Sequence, residues 1–237
     1  MLSLFLSFLF PRRCPICHHL LKNQQSLICP KCYQKVVFVR EPVCFCCGKP
    51  LENEETELCS DCRKHPKTFK KGIPLCVYNN EVRDSLAAIK YQNQKEYADF
   101  YIMEIKKRKL KQLKNLRIDL ILPVPLHKRK KRQRGFNQAM LFAEGIGEIL
   151  HVPASDCVLF RIKYTKPLKS LNPRERLASM EHSFWASDEV KGKRVLLVDD
   201  IYTTGATAPR LPSLSGMGII AGSLLSTYSP ASAIIPL

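Results

Sequence analysis

The chain has 237 residues and carries 38 Lys and Arg against 21 Asp and Glu, a formal charge of +17 with histidines neutral. That length buries a full domain core and leaves room for a smaller module. The charge points to a polyanionic partner, either nucleic acid or phosphorylated metabolites, although solubilising basicity alone would also produce it and it does not dictate the fold.

The first ten residues, Met1 to Phe10, are apolar but too short to cross a bilayer. They lack a basic leading segment and a small-residue cleavage site, so they read as a short helix docked on the protein's own surface. No other run is apolar enough for a membrane helix. The expectation is a cytoplasmic protein with no integral membrane segment.

Cysteines dominate the segment from Cys14 to Cys62. Cys14-x-x-Cys17 and Cys29-x-x-Cys32 recur as Cys44-x-x-Cys47 and Cys59-x-x-Cys62 at one constant offset of 30 residues, and Leu21/Leu51 and Asn23/Asn53 match at the same offset. This is an internal duplication of a pair of metal knuckles. Two Cys-x-x-Cys pairs supply four thiolates for tetrahedral Zn2+, a closed shell with no open position for water. Disulfides would need an oxidising compartment, and a redox pair would explain one motif but not four in register. Spacing leaves open whether each set takes its own ion or the sets interleave, hence one or two zinc ions. Cys46 reads as a spectator, His18, His19 and His65 as surface side chains, and Cys76 and Cys157 as core. Glu52, Glu54, Glu55 and Glu57 give the module mixed charge, so no DNA-binding face is assigned to it.

Residues 1–70 thus form a zinc module, with Lys67 to Gly72 as linker, and 71–237 a second domain. Pro74 to Asn79 reads as a short strand. Val82, Leu86 and Ile89 recur at helical spacing toward Tyr91, and a second helix runs from about Glu96 to Leu113 with Phe100, Met103 and Leu110 among its apolar positions. Ile118 to Leu122 is the next strand and ends in Pro123-Val-Pro125. A basic run comes next, with Lys128, Arg129, Lys130, Lys131, Arg132 and Arg134 read as a loop. Loops at the ends of parallel strands are where ligands bind, Gly135 permits close backbone approach, and the arginine fork suits phosphate oxygens. Such a loop can grip pyrophosphate, a nucleic-acid backbone or both. Gly135 leads into a helix to about Leu150 whose buried stripe is Phe136, Met140, Ala143, Ile146 and Leu150. Asn172 before Pro173 has the look of a helix start, and Trp185 reads as packed.

Val195-Leu-Leu-Val198 is a run of four apolar residues, the mark of a strand buried on both faces in a parallel α/β sheet. It runs into Asp199 and Asp200 and then into the turn Thr203, Thr204, Gly205, Ala206, Thr207. Such a turn offers backbone N–H groups and hydroxyls to an anion, while the carboxylates can accept from a diol or hold a cation's water shell. Together they describe a ribose-5-phosphate site; the plainer alternative is a pair of turn-capping acids. After Ala208, Pro209 and Pro212 disfavour a regular helix, and Gly218 to Tyr228 reads as a strand or buried segment.

The stretch from Val195 to Thr207 resembles the phosphoribosyl-pyrophosphate (PRPP) motif of type I phosphoribosyltransferases, an apolar strand, two acids and T-T-G-x-T. The resemblance implies a type I phosphoribosyltransferase-like parallel sheet flanked by helices. Asp199 and Asp200 would contact the ribose hydroxyls, Thr203 to Thr207 would wrap the 5-phosphate, and Mg2+ would come with PRPP. The cysteine pairs, Pro123-Val-Pro-Leu-His127, the basic run and Arg134-Gly-Phe-Asn-Gln138, in that order over residues 1 to about 208, are similar to the ComF-type proteins of bacterial DNA uptake, also called ComFC. That similarity implies PRPP binding, handling of incoming single-stranded DNA in natural transformation, and other DNA-uptake proteins as partners. In the family the region from 157 to 193 resembles a loop over the nucleotide site; Leu168 stands where Gln is common and Ser179 where Asn is common. The family also implies a charged helix and a further strand after Ala208. No catalytic residue is assigned. The alternatives are an active phosphoribosyltransferase of nucleotide salvage and a zinc scaffold with a relic site.

Overall fold

The computed structural model describes residues 11–65, 67, 69–161, 184–201 and, for the backbone, 220–226. The N-terminal decapeptide, Leu168, Asn172, Ser179, the Thr203–Thr207 turn and the prolines after Ala208 lie outside the described residues.

The cysteine duplication is also a duplication of backbone. Arg13 bridges Leu20 and Val43 bridges Pro50. The N–H of Cys14 donates to the His19 carbonyl at 2.9 Å and that of Cys44 to the Lys49 carbonyl at 2.8 Å. The tight turn needs left-handed backbone, supplied by His18 at φ 60° and Gly48 at φ 73°. Each knuckle then ends in a one-turn helix directly after its third cysteine, α1 (Pro30–Tyr33) and α2 (Ser60–Lys64).

β1 (Lys71–Val77) is the first strand. Asn79 caps α3 (Asn80–Tyr91) by accepting from the Val82 N–H, and a 3-10 turn at Lys95–Tyr97 leads into α4 (Ala98–Asn115). β2 (Leu120–Pro123), α5 (Lys128–Arg134) and α6 (Gln138–Leu150) come next. β3 (Leu159–Arg161) and β4 (Phe184–Ala186) pair antiparallel. β5 (Val195–Asp199) and β6 (Ile220–Ser226) complete a four-stranded sheet of order β1-β6-β5-β2, parallel throughout. The strand expected within Gly218 to Tyr228 is therefore present.

Two cores flank this sheet, and strand alternation assigns each side chain to one of them. Ile121 of β2 and Leu196 and Val198 of β5 join α3, α4, α6 and the first knuckle. Leu120 and Leu122 of β2 and Val195 and Leu197 of β5 join the second knuckle and the β3–β4 hairpin. Apolar demand from both sides explains the uninterrupted apolar run, as read from the sequence. The second knuckle lies hard against β1, where the Gly72 N–H donates to the Cys46 carbonyl at 2.6 Å. A Cβ on Gly72 would lie 2.4 Å from the Cys47 carbonyl oxygen, so glycine is required there.

Several expectations are corrected. The linker ends earlier than read, because Phe69 is buried and Lys71 and Gly72 already belong to β1. The basic run is a helix, α5, stopped by Gly135 at φ 78°. Lys and Arg are good helix formers, and the run contains no breaker before that glycine. Cys157 is exposed beside the Asp156 carboxylate instead of being core, whereas Cys76 is fully buried. Trp185 is 53% exposed, outside the core, with its ring against that of Phe160.

Candidate functional site

The Sγ atoms of Cys14, Cys17, Cys29 and Cys32 form one cluster and those of Cys44, Cys47, Cys59 and Cys62 another, each with all four donors within 4.8 Å. The sets therefore do not interleave. Sulfur separations of 3.8 Å for Cys14–Cys29 and 3.7 Å for Cys47–Cys59 match the edge of a tetrahedron with Zn–S near 2.3 Å, about 3.8 Å. Burial raises the Cys32 and Cys62 thiols and neighbouring thiolates add to the shift. Four thiolates can ionise side by side only around a cation, and the donor set, spacing and closed shell fit Zn2+ as a structural ion. Cys46 stands outside both clusters, as expected. His18 is no ligand; its Nδ1 lies 3.1 Å from the Tyr97 hydroxyl.

Asp199 and Asp200 emerge at the carboxyl end of β5, between β2 and β6. The Asp200 carboxylate is buried against the Lys90 ammonium, the last basic residue of α3, and accepts from Gln138 Nε2 at 3.3 Å. Burial alone would raise its pKa, but the Lys90 charge together with hydrogen bonds from Lys90, Asp199 and Gln138 outweighs it and holds the carboxyl below the usual range. For Asp199 burial and the adjacent Asp200 charge act together and push the carboxyl well above that range. Asp200 thus carries the negative charge while Asp199 retains its proton more readily. The motif residues before α6 hold this arrangement. Asn137 donates to the Val124 carbonyl at 3.1 Å and caps α6 by accepting from Ala139 N–H at 3.2 Å, which fixes Gln138 over Asp200.

Helical periodicity divides the basic run. Arg134 donates to Gln138 Oε1 at 2.8 Å and to the Tyr91 hydroxyl at 2.9 Å, with its guanidinium 4.8 Å from the Tyr91 ring centroid. One turn earlier, Lys130 is half-buried; burial and the positive charges of Arg161, Arg134 and Lys90 hold its ammonium below the usual lysine range. Burial lowers Arg161 as well, and the Asp199 charge opposes that shift. Lys90 thus meets Asp200 directly and Arg134 reaches it through Gln138, while Arg161 feels the Asp199 charge and Lys130 the charges of Lys90, Arg134 and Arg161. Lys128 and Lys131 take another face and line an adjoining cleft that Asn137 and Arg161 also border, while Arg129 and Arg132 are exposed.

Of the residues assigned from sequence, Asp199, Asp200, Lys130 and Arg134 converge. Lys128, Arg129, Lys131 and Arg132 do not reach the carboxylates, and Thr203 to Thr207 lie outside the described residues. Lys90 and Arg161 had no assigned role, because no local motif marks them and three separate elements must fold before they meet Asp200 and Asp199.

Residues 5–63 match the double zinc ribbon domain family. Across most of its length the chain is similar to competence protein F of Haemophilus influenzae, with 26% identity over 86% of this chain and 91% of that protein. It is similar to ComFC of Bacillus subtilis at 27% identity, covering 79% of this chain and 77% of the relative. With ComFC of Streptococcus pneumoniae the identity is 30%, over 82% of this chain and 84% of that protein. A duplicated four-cysteine ribbon in front of a parallel sheet, matched along nearly the whole chain, makes this protein a member of the competence protein F/ComFC family.

Proposed function

We propose that the protein binds PRPP and uses that state in handling single-stranded DNA during natural transformation, in the cytoplasm and together with other DNA-uptake proteins. In this reading residues 71–237 form a phosphoribosyltransferase-like domain buttressed by a zinc module of residues 1–70. The observation that carries the reading is the set of contacts and charges linking Lys90, Lys130, Arg134 and Arg161 to Asp199 and Asp200 at the carboxyl ends of parallel strands. Lys130, held below the usual lysine range by burial and by these positive neighbours, gains from a polyanion, and pyrophosphate is the fitting one. The carboxylates accept from the ribose 2- and 3-hydroxyls, and Thr203, Thr204, Gly205, Ala206 and Thr207 take the 5-phosphate. Asp199 and Asp200 offer the hard oxygens Mg2+ prefers, and the ion would neutralise the pyrophosphate charge. The names of the relatives, competence proteins from three bacteria, support the DNA side of the reading.

The test is PRPP affinity of the zinc-loaded chain beside an Asp199→Ala, Asp200→Ala double variant, by calorimetry. Loss of binding at least tenfold is expected; equal affinity would overturn the assignment of these carboxylates. Pyrophosphate release in the presence of a panel of nucleobases would replace this reading with that of an active transferase.

A further inference from the structure

The face of α5 that carries Lys128 and Lys131 borders a cleft of about 610 Å3, completed by Asp156 and by Phe160, Arg161 and Trp185 of the β3–β4 hairpin. The hairpin alternates as a two-faced ribbon should. Leu159, Phe184 and Ala186 are buried, while their neighbours Phe160 and Trp185 are 39% and 53% exposed. Phe160 and Trp185 are cross-strand partners, with ring centroids 5.4 Å apart and planes inclined by 32°. Solvent-facing positions of such a ribbon are ordinarily polar. Here they hold two large aromatic rings, and the charges around them are mainly positive. Lys131 pairs with Asp156 at 3.1 Å, but both side chains are more than a third exposed and such a pair is weak. A polyanion can take the lysine over.

We infer that this cleft is a stacking groove for single-stranded nucleic acid, in which a base lies on Trp185 and Phe160 while Lys128 and Lys131 hold the flanking phosphates. The inference rests on the DNA half of the proposed function and names where that binding occurs. Aromatic faces combined with a basic rim suit unpaired bases on a continuous phosphate chain, since every base has a π-face and duplex bases are already stacked. Asn137, which caps the helix that holds Gln138 over Asp200, also lines the groove, so the groove adjoins the carboxylate site without including its two acids.

Trp185 is the only tryptophan, so its emission reports the site directly. The zinc-loaded full chain is titrated with oligo-deoxythymidine of about 12 nucleotides, within the span of single-strand grooves. Saturable quenching is expected. By anisotropy of the labelled oligonucleotide, Trp185→Ala and Phe160→Ala should each weaken binding roughly 5- to 100-fold. Trp185→Phe should recover most of the loss, and all three variants should bind PRPP as the parent does. Unchanged oligonucleotide affinity in both alanine variants would overturn the groove; if Lys128→Glu still lost binding, DNA handling through α5 would survive. Quenching by deoxythymidine monophosphate as tight as by the oligonucleotide would also overturn it, in favour of a mononucleotide site. No oligonucleotide binding by the parent chain at low salt would remove the groove and the DNA half of the proposed function together, with PRPP affinity judged separately.

Discussion

Asp199 and Asp200 are adjacent in sequence yet have opposite proton affinities. Lys90 stabilises the charge on Asp200, whereas burial and that same charge disfavour a second charge on Asp199. The sign for stability comes from linkage. A carboxyl whose folded pKa is raised contributes stability below its unfolded pKa, near 4, and loses it as pH rises through the folded value. Asp199→Asn removes this titration while keeping the side chain's shape. From about pH 5 to 8, the melting temperature of the parent should fall more steeply than that of Asp199→Asn, measured by differential scanning calorimetry. Parallel curves would mean that Asp199 is ionised without penalty. The Asn variant should nevertheless bind PRPP less well, because it can no longer present a full carboxylate to the ribose.

Among the elements, α5 does two jobs because its basic residues fall on different faces. Lys130 and Arg134, four apart, face Lys90 and Gln138, which hold Asp200; Lys128 and Lys131, three apart, face the aromatic cleft. A double dissociation is expected. Lys130→Glu with Arg134→Glu should abolish PRPP binding while reducing oligonucleotide affinity only modestly. Lys128→Glu with Lys131→Glu should spare PRPP binding and lower the salt dependence of oligonucleotide binding by about two counterions. Calorimetry and salt-titrated anisotropy read the two outcomes, and equal losses of both ligands in both variants would mean one undivided site. This division was not legible in the sequence, where the run reads as a loop. Its charge was visible but its phase was not, since a few basic residues carry no apolar period to fix a helix face. Local patterns were legible: the cysteine spacing gave the eight ligands though not their division into two sets, and the apolar run before Asp199 gave a strand buried on both faces. Lys90, Arg161 and the exposed Trp185 depend on tertiary convergence, for which one chain's local pattern holds no signal.

For the whole molecule, the two knuckles occupy opposite sides of one sheet. The first shares its core with α3, α4 and α6, and is tied to α4 by Tyr33, whose hydroxyl donates to the buried Glu104 at 3.1 Å. The second packs beneath β2 and β5, on the face opposite those helices, and approaches β1 through Gly72. Neither knuckle has a core of its own large enough to keep its loops ordered, so zinc becomes part of the sheet's support. Structural zinc binds with an apparent free energy of about 10–16 kcal/mol in small domains. A domain's entire net stability is about 5–15 kcal/mol. Loss of an ion from the second set should therefore do more than loosen a peripheral loop. Cys44→Ser with Cys47→Ser should hold one zinc per chain in place of two by mass spectrometry of digested protein. In hydrogen exchange it should lose amide protection in Leu120 to Leu122 and Val195 to Val198, and PRPP binding should go with it, because Asp199 and Asp200 extend directly from that strand. Cys14→Ser with Cys17→Ser should also hold one zinc, but should lose protection first in α4, where the first knuckle docks. If the Cys44 variant kept full protection in β2 and β5, the second ribbon would be an appendage and the carboxylate site would stand without it.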